Sequence, residues 1–142
     1  MKIAIGADHA GFDMKEQLLK MLKDDAVEVV DCGTFDNQSC NYPTYAHAVA
    51  KVVLENKLNK GILICGTGNG MNMTANKHTG IRAALCWTEE IARLSRQHND
   101  ANILSIPARF VDVHLAADMM FTFLKVEFEG GRHATRLGLI EM

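Results

Sequence analysis

Gly61-Ile62-Leu63-Ile64-Cys65-Gly66-Thr67-Gly68-Asn69-Gly70-Met71 begins as an unbroken apolar run and breaks into three glycines at alternate positions. An apolar run without alternation is the signature of a strand buried on both faces, as in a parallel sheet covered by helices. The switch to glycine marks the end of that strand and a sharp turn into a helix. Working outward, the same pattern recurs. Lys2–Gly6 is a short apolar run, followed by Phe12–Leu22 with Phe12, Leu18, Leu19 and Leu22 near helical spacing. Val27–Val30 is brief and β-branched. Tyr42-Pro43 punctuates, and Tyr45–Leu54 carries Ala46, Val49, Ala50, Val53 and Leu54 on one helical face. Towards the carboxyl end, Ile81–Cys86 is another apolar run, and Thr88-Glu89-Glu90 supplies a helix cap and an acidic first turn. Asn102–Ile106 reads as a fifth strand. Asp112 caps a helix through Leu124, and a last short helix is expected from about Arg132 to Ile140.

Strands alternating with amphipathic helices predict an α/β fold: one doubly wound, Rossmann-like domain over residues 1–142, with a five-stranded parallel sheet flanked by helices. No linker, repeat or low-complexity segment interrupts the 142 residues. The 48% hydrophobic content is enough for one core, and the formal charge of −2 argues against nucleic acid or an anionic membrane as partner. No apolar run reaches the ~18 residues of a membrane span. The amino-terminal residues lack a signal-peptide core, so the expectation is a cytoplasmic enzyme. Ligands of such sheets bind beyond the carboxyl ends of the strands. Polar residues following the strands are Asp8, His9 and Gly11, then the Cys65–Met71 loop and Arg109, with Arg96-Gln97-His98-Asn99-Asp100 closing the fourth helix.

Cys32, Cys40, Cys65 and Cys86 include no C-x-x-C pair and no zinc-ligand spacing, so reduced thiols and no metal are expected. Cys86 reads as core. The glycine loop presents backbone N–H groups at a helix start, a ready place for an anion. A P-loop would need Lys and Ser/Thr after its last glycine, where Met71-Asn72 stand. A dinucleotide fingerprint would need glycine at position 71, and a tyrosine-phosphatase loop would need arginine there. Cys65 leads into the loop, in the field of a helix N-terminus that favours thiolate. Such a thiol can be a nucleophile, a redox centre or a general base, or simply the last buried residue of its strand.

His9, beside Asp8, and His98, before Asn99-Asp100, are the histidines with functional context; His47, His78 and His114 are expected to be solvated. Arg132 and Arg136, four apart, share a helix face and suit phosphate, with Arg109 as a third cation.

These residues sit in longer stretches that resemble one family over essentially the whole chain. The stretches are Ile5–Phe12, Ile62–Met71, Ala75-Asn76-Lys77, Gly80–Ala84, Ala92–Asn102 and Glu129–His133. The chain resembles the type B ribose-5-phosphate isomerases of the ribose/galactose isomerase superfamily. That resemblance implies interconversion of ribose 5-phosphate and ribulose 5-phosphate through a cis-enediol, without metal or other cofactor. Cys65 would move the proton between C2 and C1, His98 would help open the furanose ring, and Thr67 would assist at the ring oxygen. Asp8, His9, Gly66, Gly68, Asn69, Gly70, Asn99, Arg109, Arg132 and Arg136 would bind the sugar phosphate. The resemblance also implies a homo-oligomer, dimer or tetramer, with each site shared between subunits. Asn41 stands where the family often carries Asp before Tyr-Pro, and Cys65 assigns the chain to the cysteine-base type rather than the glutamate type. The competing readings are the same chemistry on a six-carbon sugar phosphate, a non-catalytic sugar-phosphate-binding regulator, and a Cys65 redox sensor.

Overall fold

β1 (Lys2–Ala7) sends Ile3, Ile5 and Ala7 to one side of a sheet and Ala4 to the other, and both sides are buried. This burial on both faces explains the unbroken apolar runs. The computed structural model describes residues 1–23 and 27–141. In chain order the further elements are α1 (Phe12–Leu22), β2 (Glu28–Asp31), α2 (Tyr42–Leu54), β3 (Lys60–Cys65) and α3 (Asn69–Ala75). They continue with β4 (Ala83–Leu85), α4 (Glu89–Asn99), β5 (Ile103–Pro107), α5 (Val113–Lys125) and α6 (Arg132–Leu137). The five strands are all parallel in the order β2-β1-β3-β5-β4, as expected of the doubly wound class.

One layer packs α1, α4 and α5 against Ile3, Ile5, Ile62, Ile64, Leu104 and Ile106, with Leu18, Leu22, Met119 and Phe123 fully buried between them. Each such side chain contributes about 1.5–3 kcal/mol relative to exposure. The other layer holds α2 and α3, with Val49, Val53, Met71 and Ala75 against Ala4, Leu63 and Ile103. The caps read from sequence are formed: Thr88 accepts from the Ile91 N–H and Asp112 from the Leu115 N–H.

Boundaries differ in places. α2 begins at Tyr42, because Pro43 in the first turn has the fixed φ a helix start accepts and no N–H is missed there. β4 is shorter than the apolar run Ile81–Cys86. The Ile81 N–H goes to the His78 carbonyl and the Arg82 N–H to the Asn102 side chain, which takes both amides out of the ladder. α6 ends at Leu137 instead of continuing to Ile140.

Lys15, on α1, is wholly buried. Its ammonium bonds both Asp31 oxygens at 2.9 Å and lies 5.5 Å from the centres of the Phe12 and Phe35 rings. A buried ammonium is stable only with such compensation, and the pair ties α1 to the edge strand.

Candidate active site

Cys65 is the last residue of β3, level with Pro107 of β5, and Ala7 at the end of β1 is level with Ile64. Asp8 therefore lies beside Cys65 at the carboxyl edge. The chain leaves β1 for β2 on one side and returns to build β3 on the other, the switch point where open α/β sheets form a crevice. One carboxylate oxygen of Asp8 accepts from the N–H groups of Ala10 (3.0 Å) and Gly11 (3.1 Å), which fixes it against the start of α1. Both Asp8 and Cys65 are 6% exposed.

Burial pushes the Cys65 thiol up from its ordinary range, and the charge and hydrogen bond of Asp8 push the same way. The amides of Met71 and Gly68 donate to the sulfur and pull the other way without prevailing. The expected thiolate-favouring field of a helix start is thus present but outweighed. α3 is short, and a desolvated anion next to a carboxylate loses more than two amides return.

The glycines have different reasons. A Cβ on Gly66 would come within 2.9 Å of the Arg109 guanidinium, so glycine lets that cation lie over the loop. The Arg109 N–H in turn donates to the Gly66 carbonyl at 3.1 Å. Gly68 takes φ +79°, a left-handed turn at the head of α3. The Tyr42 ring packs over Gly70, where a Cβ would be 2.6 Å away. Thr67 and Asn69 are exposed on the loop, the Thr67 hydroxyl accepting from the Asn69 N–H at 3.3 Å. His9 is half-buried, and its Nδ1 accepts from the Cys40 N–H at 3.4 Å. Asp8, His9, Cys65, Gly66, Thr67, Gly68, Asn69, Gly70 and Arg109 thus share one edge.

His98, Asn99, Arg132 and Arg136 do not join them. A helix linking two parallel strands runs back along the sheet, so α4 ends where β5 begins, at the amino edge. Asn102, just past α4, accepts there from the Gly61 N–H at the foot of β3. At a rise of about 3.3 Å per residue, β5 (Ile103–Pro107) alone separates the two edges by about 13 Å. Placing Arg96–Asp100 with the strand-end residues is corrected by this geometry. Arg96 is structural: it is 5% exposed and bonds Asp100 (2.8 Å) and the carbonyls of Ala101 (2.6 Å) and Val126 (3.1 Å).

The second cluster carries residues the sequence reading passed over. His133 stacks on His98 with ring centroids 4.4 Å apart and planes at 12°, and its Nε2 lies 3.8 Å from Glu129. Arg132 and Arg136 are exposed beside them. One donor atom from each of His98, Glu129 and His133 fits within a 4.8 Å span. Ligands on a zinc ion with bonds of about 2.0–2.1 Å would lie closer together, and two arginines alongside suit an anion better than a cation. Tyr42 and Cys40 were also missed, because Tyr42-Pro43 signals a helix start and says nothing of what that start faces. His47 and His78, expected to be solvated, form a pair joined Nδ1 to Nε2 at 2.7 Å between α2 and the turn after α3.

The family model described as Ribose/Galactose Isomerase matches residues 3–140. The chain is 45% identical over 139 residues to ribose-5-phosphate isomerase B of Escherichia coli (strain K12), covering 98% of this chain and 93% of that one. Among solved structures it is similar to the Clostridium thermocellum ribose-5-phosphate isomerase B, with TM-score 0.95, 50% identity and coverage of 99% and 95%. It is also similar to the Mycoplasma genitalium ribose-5-phosphate isomerase B solved with bound ribulose 5-phosphate, with TM-score 0.94, 42% identity and coverage of 98% and 93%.

Proposed function

The chain belongs to the ribose/galactose isomerase family, and from that premise we propose that it interconverts ribose 5-phosphate and ribulose 5-phosphate with Cys65 as base. The observation that carries the reading is Cys65 itself, at the sheet's switch point, facing Asp8 and held under the amides of Gly68 and Met71. Isomerisation requires one proton to leave C2 and one to arrive at C1, on carbons adjacent to each other. A single thiolate over the C1–C2 bond serves both, and the loop amides are placed to hold the oxygen that becomes negative in the enediolate. Only the open-chain aldehyde has an acidic C2–H, so the cyclic sugar must first receive a proton on its ring oxygen; His98 is assigned that step, with Thr67 assisting.

His98 lies at the opposite sheet edge from Cys65, so one copy holds two half-sites. We infer that a second copy completes the site: His98, Asn99, Arg132 and Arg136 of one subunit over Cys65, Asp8, His9 and Arg109 of the other. A twofold dimer makes this contact twice. Large apolar side chains left exposed near each half-site, Phe110 after Arg109 and Leu139 and Ile140 after Arg136, support such a cover. Arg132 and Arg136 then hold the phosphate. Among the described residues no helix is long and apolar enough to cross a membrane, and all four cysteines are free. Free thiols support a cytoplasmic setting.

The test separates the base from the acid. In heavy water, the base step exchanges the C1 proton of ribulose 5-phosphate for deuterium, seen by proton NMR, and needs no ring opening. Cys65→Ala is expected to lower both exchange and isomerisation by about 10³-fold, the typical worth of a positioned base. Retained exchange in Cys65→Ala would overturn the assignment.

A further inference from the structure

We propose that His133 is a positioning residue for His98, its stacked ring holding the His98 imidazole in one orientation. The inference rests on the acid role given to His98 above, and its own support is the geometry of the amino-edge cluster. The rings lie nearly parallel at 4.4 Å, close enough that the His98 ring cannot rotate about its last torsion without losing the contact. His133 is 7% exposed while His98 is only half-buried, so the stack has a fixed member and a member facing outward.

The charges around the pair disfavour a second cation at His133. The pair is faced by Arg132 and Arg136 from α6 and by Glu129 from the segment before it, whose backbone N–H is anchored on the Gln97 carbonyl of α4 at 3.1 Å. Burial lowers His133 from the usual histidine range, and His98 and Arg132 push it further down against the opposing pull of Glu129. Two cationic rings in face contact repel, so one proton excludes a second. His133 is the buried member of the stack, and the outward His98 ring is the one that can reach a sugar oxygen. Neither ring alone explains the arrangement: a lone exposed histidine would sample several rotamers, and a proton-donating acid must be aimed.

The experiment compares His133→Ala, His133→Phe and His98→Asn, reading kcat and KM on ribose 5-phosphate alongside deuterium exchange at C1 of ribulose 5-phosphate. His133→Ala is expected to lower kcat at least tenfold with KM changed less than twofold and exchange nearly intact. His133→Phe keeps a flat ring without nitrogens and is expected to restore kcat to within threefold of the parent. By proton NMR the His98 ring protons should move downfield in His133→Ala, as the shielding ring is removed, and return in His133→Phe. Unchanged kcat in His133→Ala, or equal losses of turnover and exchange in both His133 variants, would overturn the inference. Unchanged kcat in His98→Asn would instead overturn the acid assignment on which it rests.

Discussion

In the proposed reaction Cys65 rests as a neutral thiol and acts as a thiolate, and its neighbours explain the tension. Burial and the Asp8 charge hold the proton on sulfur, while the amides of Gly68 and Met71 oppose them. Because the folded thiol titrates above its ordinary value, the reactive thiolate fraction grows with pH and is small below it. Alkylation of Cys65 by iodoacetamide should therefore accelerate about tenfold per pH unit from neutrality upward. Asp8→Asn keeps an oxygen for the Ala10 and Gly11 amides and removes the charge that helps hold the proton on sulfur, so alkylation at neutral pH should become faster. An unchanged or slower rate would mean that Asp8 does not control the thiol. Sequence reasoning found Cys65, Asp8 and the loop because their types are chemically distinctive. It misjudged the direction of the thiol shift because the burial that dominates it arises only in the folded sheet, and Asp8 and Cys65, 57 residues apart, are brought together only by the pairing of β1 with β3.

At the scale of elements, the site depends on how closely α1 approaches β3. Gly11 is the N-cap of α1, and a Cβ there would overlap the carbonyl of Ile64. Backbone cannot move aside as a flexible side chain can, so Gly11→Ala should cost about 2–3 kcal/mol and displace Asp8. Urea unfolding would show it as a lower midpoint with an unchanged slope; a stability within 0.5 kcal/mol of the parent would show that α1 has room to shift. The elements themselves were largely legible. Thr88 and Asp112 were read as caps and are caps, and the apolar spacing marks buried faces of α1 and α2. What failed was Ile81–Cys86, where a six-residue run yields three strand residues because Asn102 and His78 claim the amides of Arg82 and Ile81. A competing partner from another part of the chain leaves no trace in local pattern.

At the scale of the molecule, the two clusters proposed as half-sites lie on opposite edges of one sheet, and this makes a clear prediction for mixed subunits. Cys65→Ala and His98→Asn should each be inactive alone. Unfolded and refolded together, they should regain up to about a quarter of parent activity, because half of randomly formed dimers carry one intact site of two. No recovery, with mixed dimers demonstrated by mass, would show that each chain builds its site alone. The sequence by itself determined the parallel sheet, its cover of helices on both faces, the glycine turn and the residues proposed to react, because apolar periodicity, caps and side-chain chemistry are local properties. The tertiary structure alone decided that His98 and Cys65 stand apart, that His133 stacks on His98, and that Asp8 raises the thiol it faces. Those facts follow from strand register and from helices running back against their strands, which place residues by distance in space and not by order in the chain.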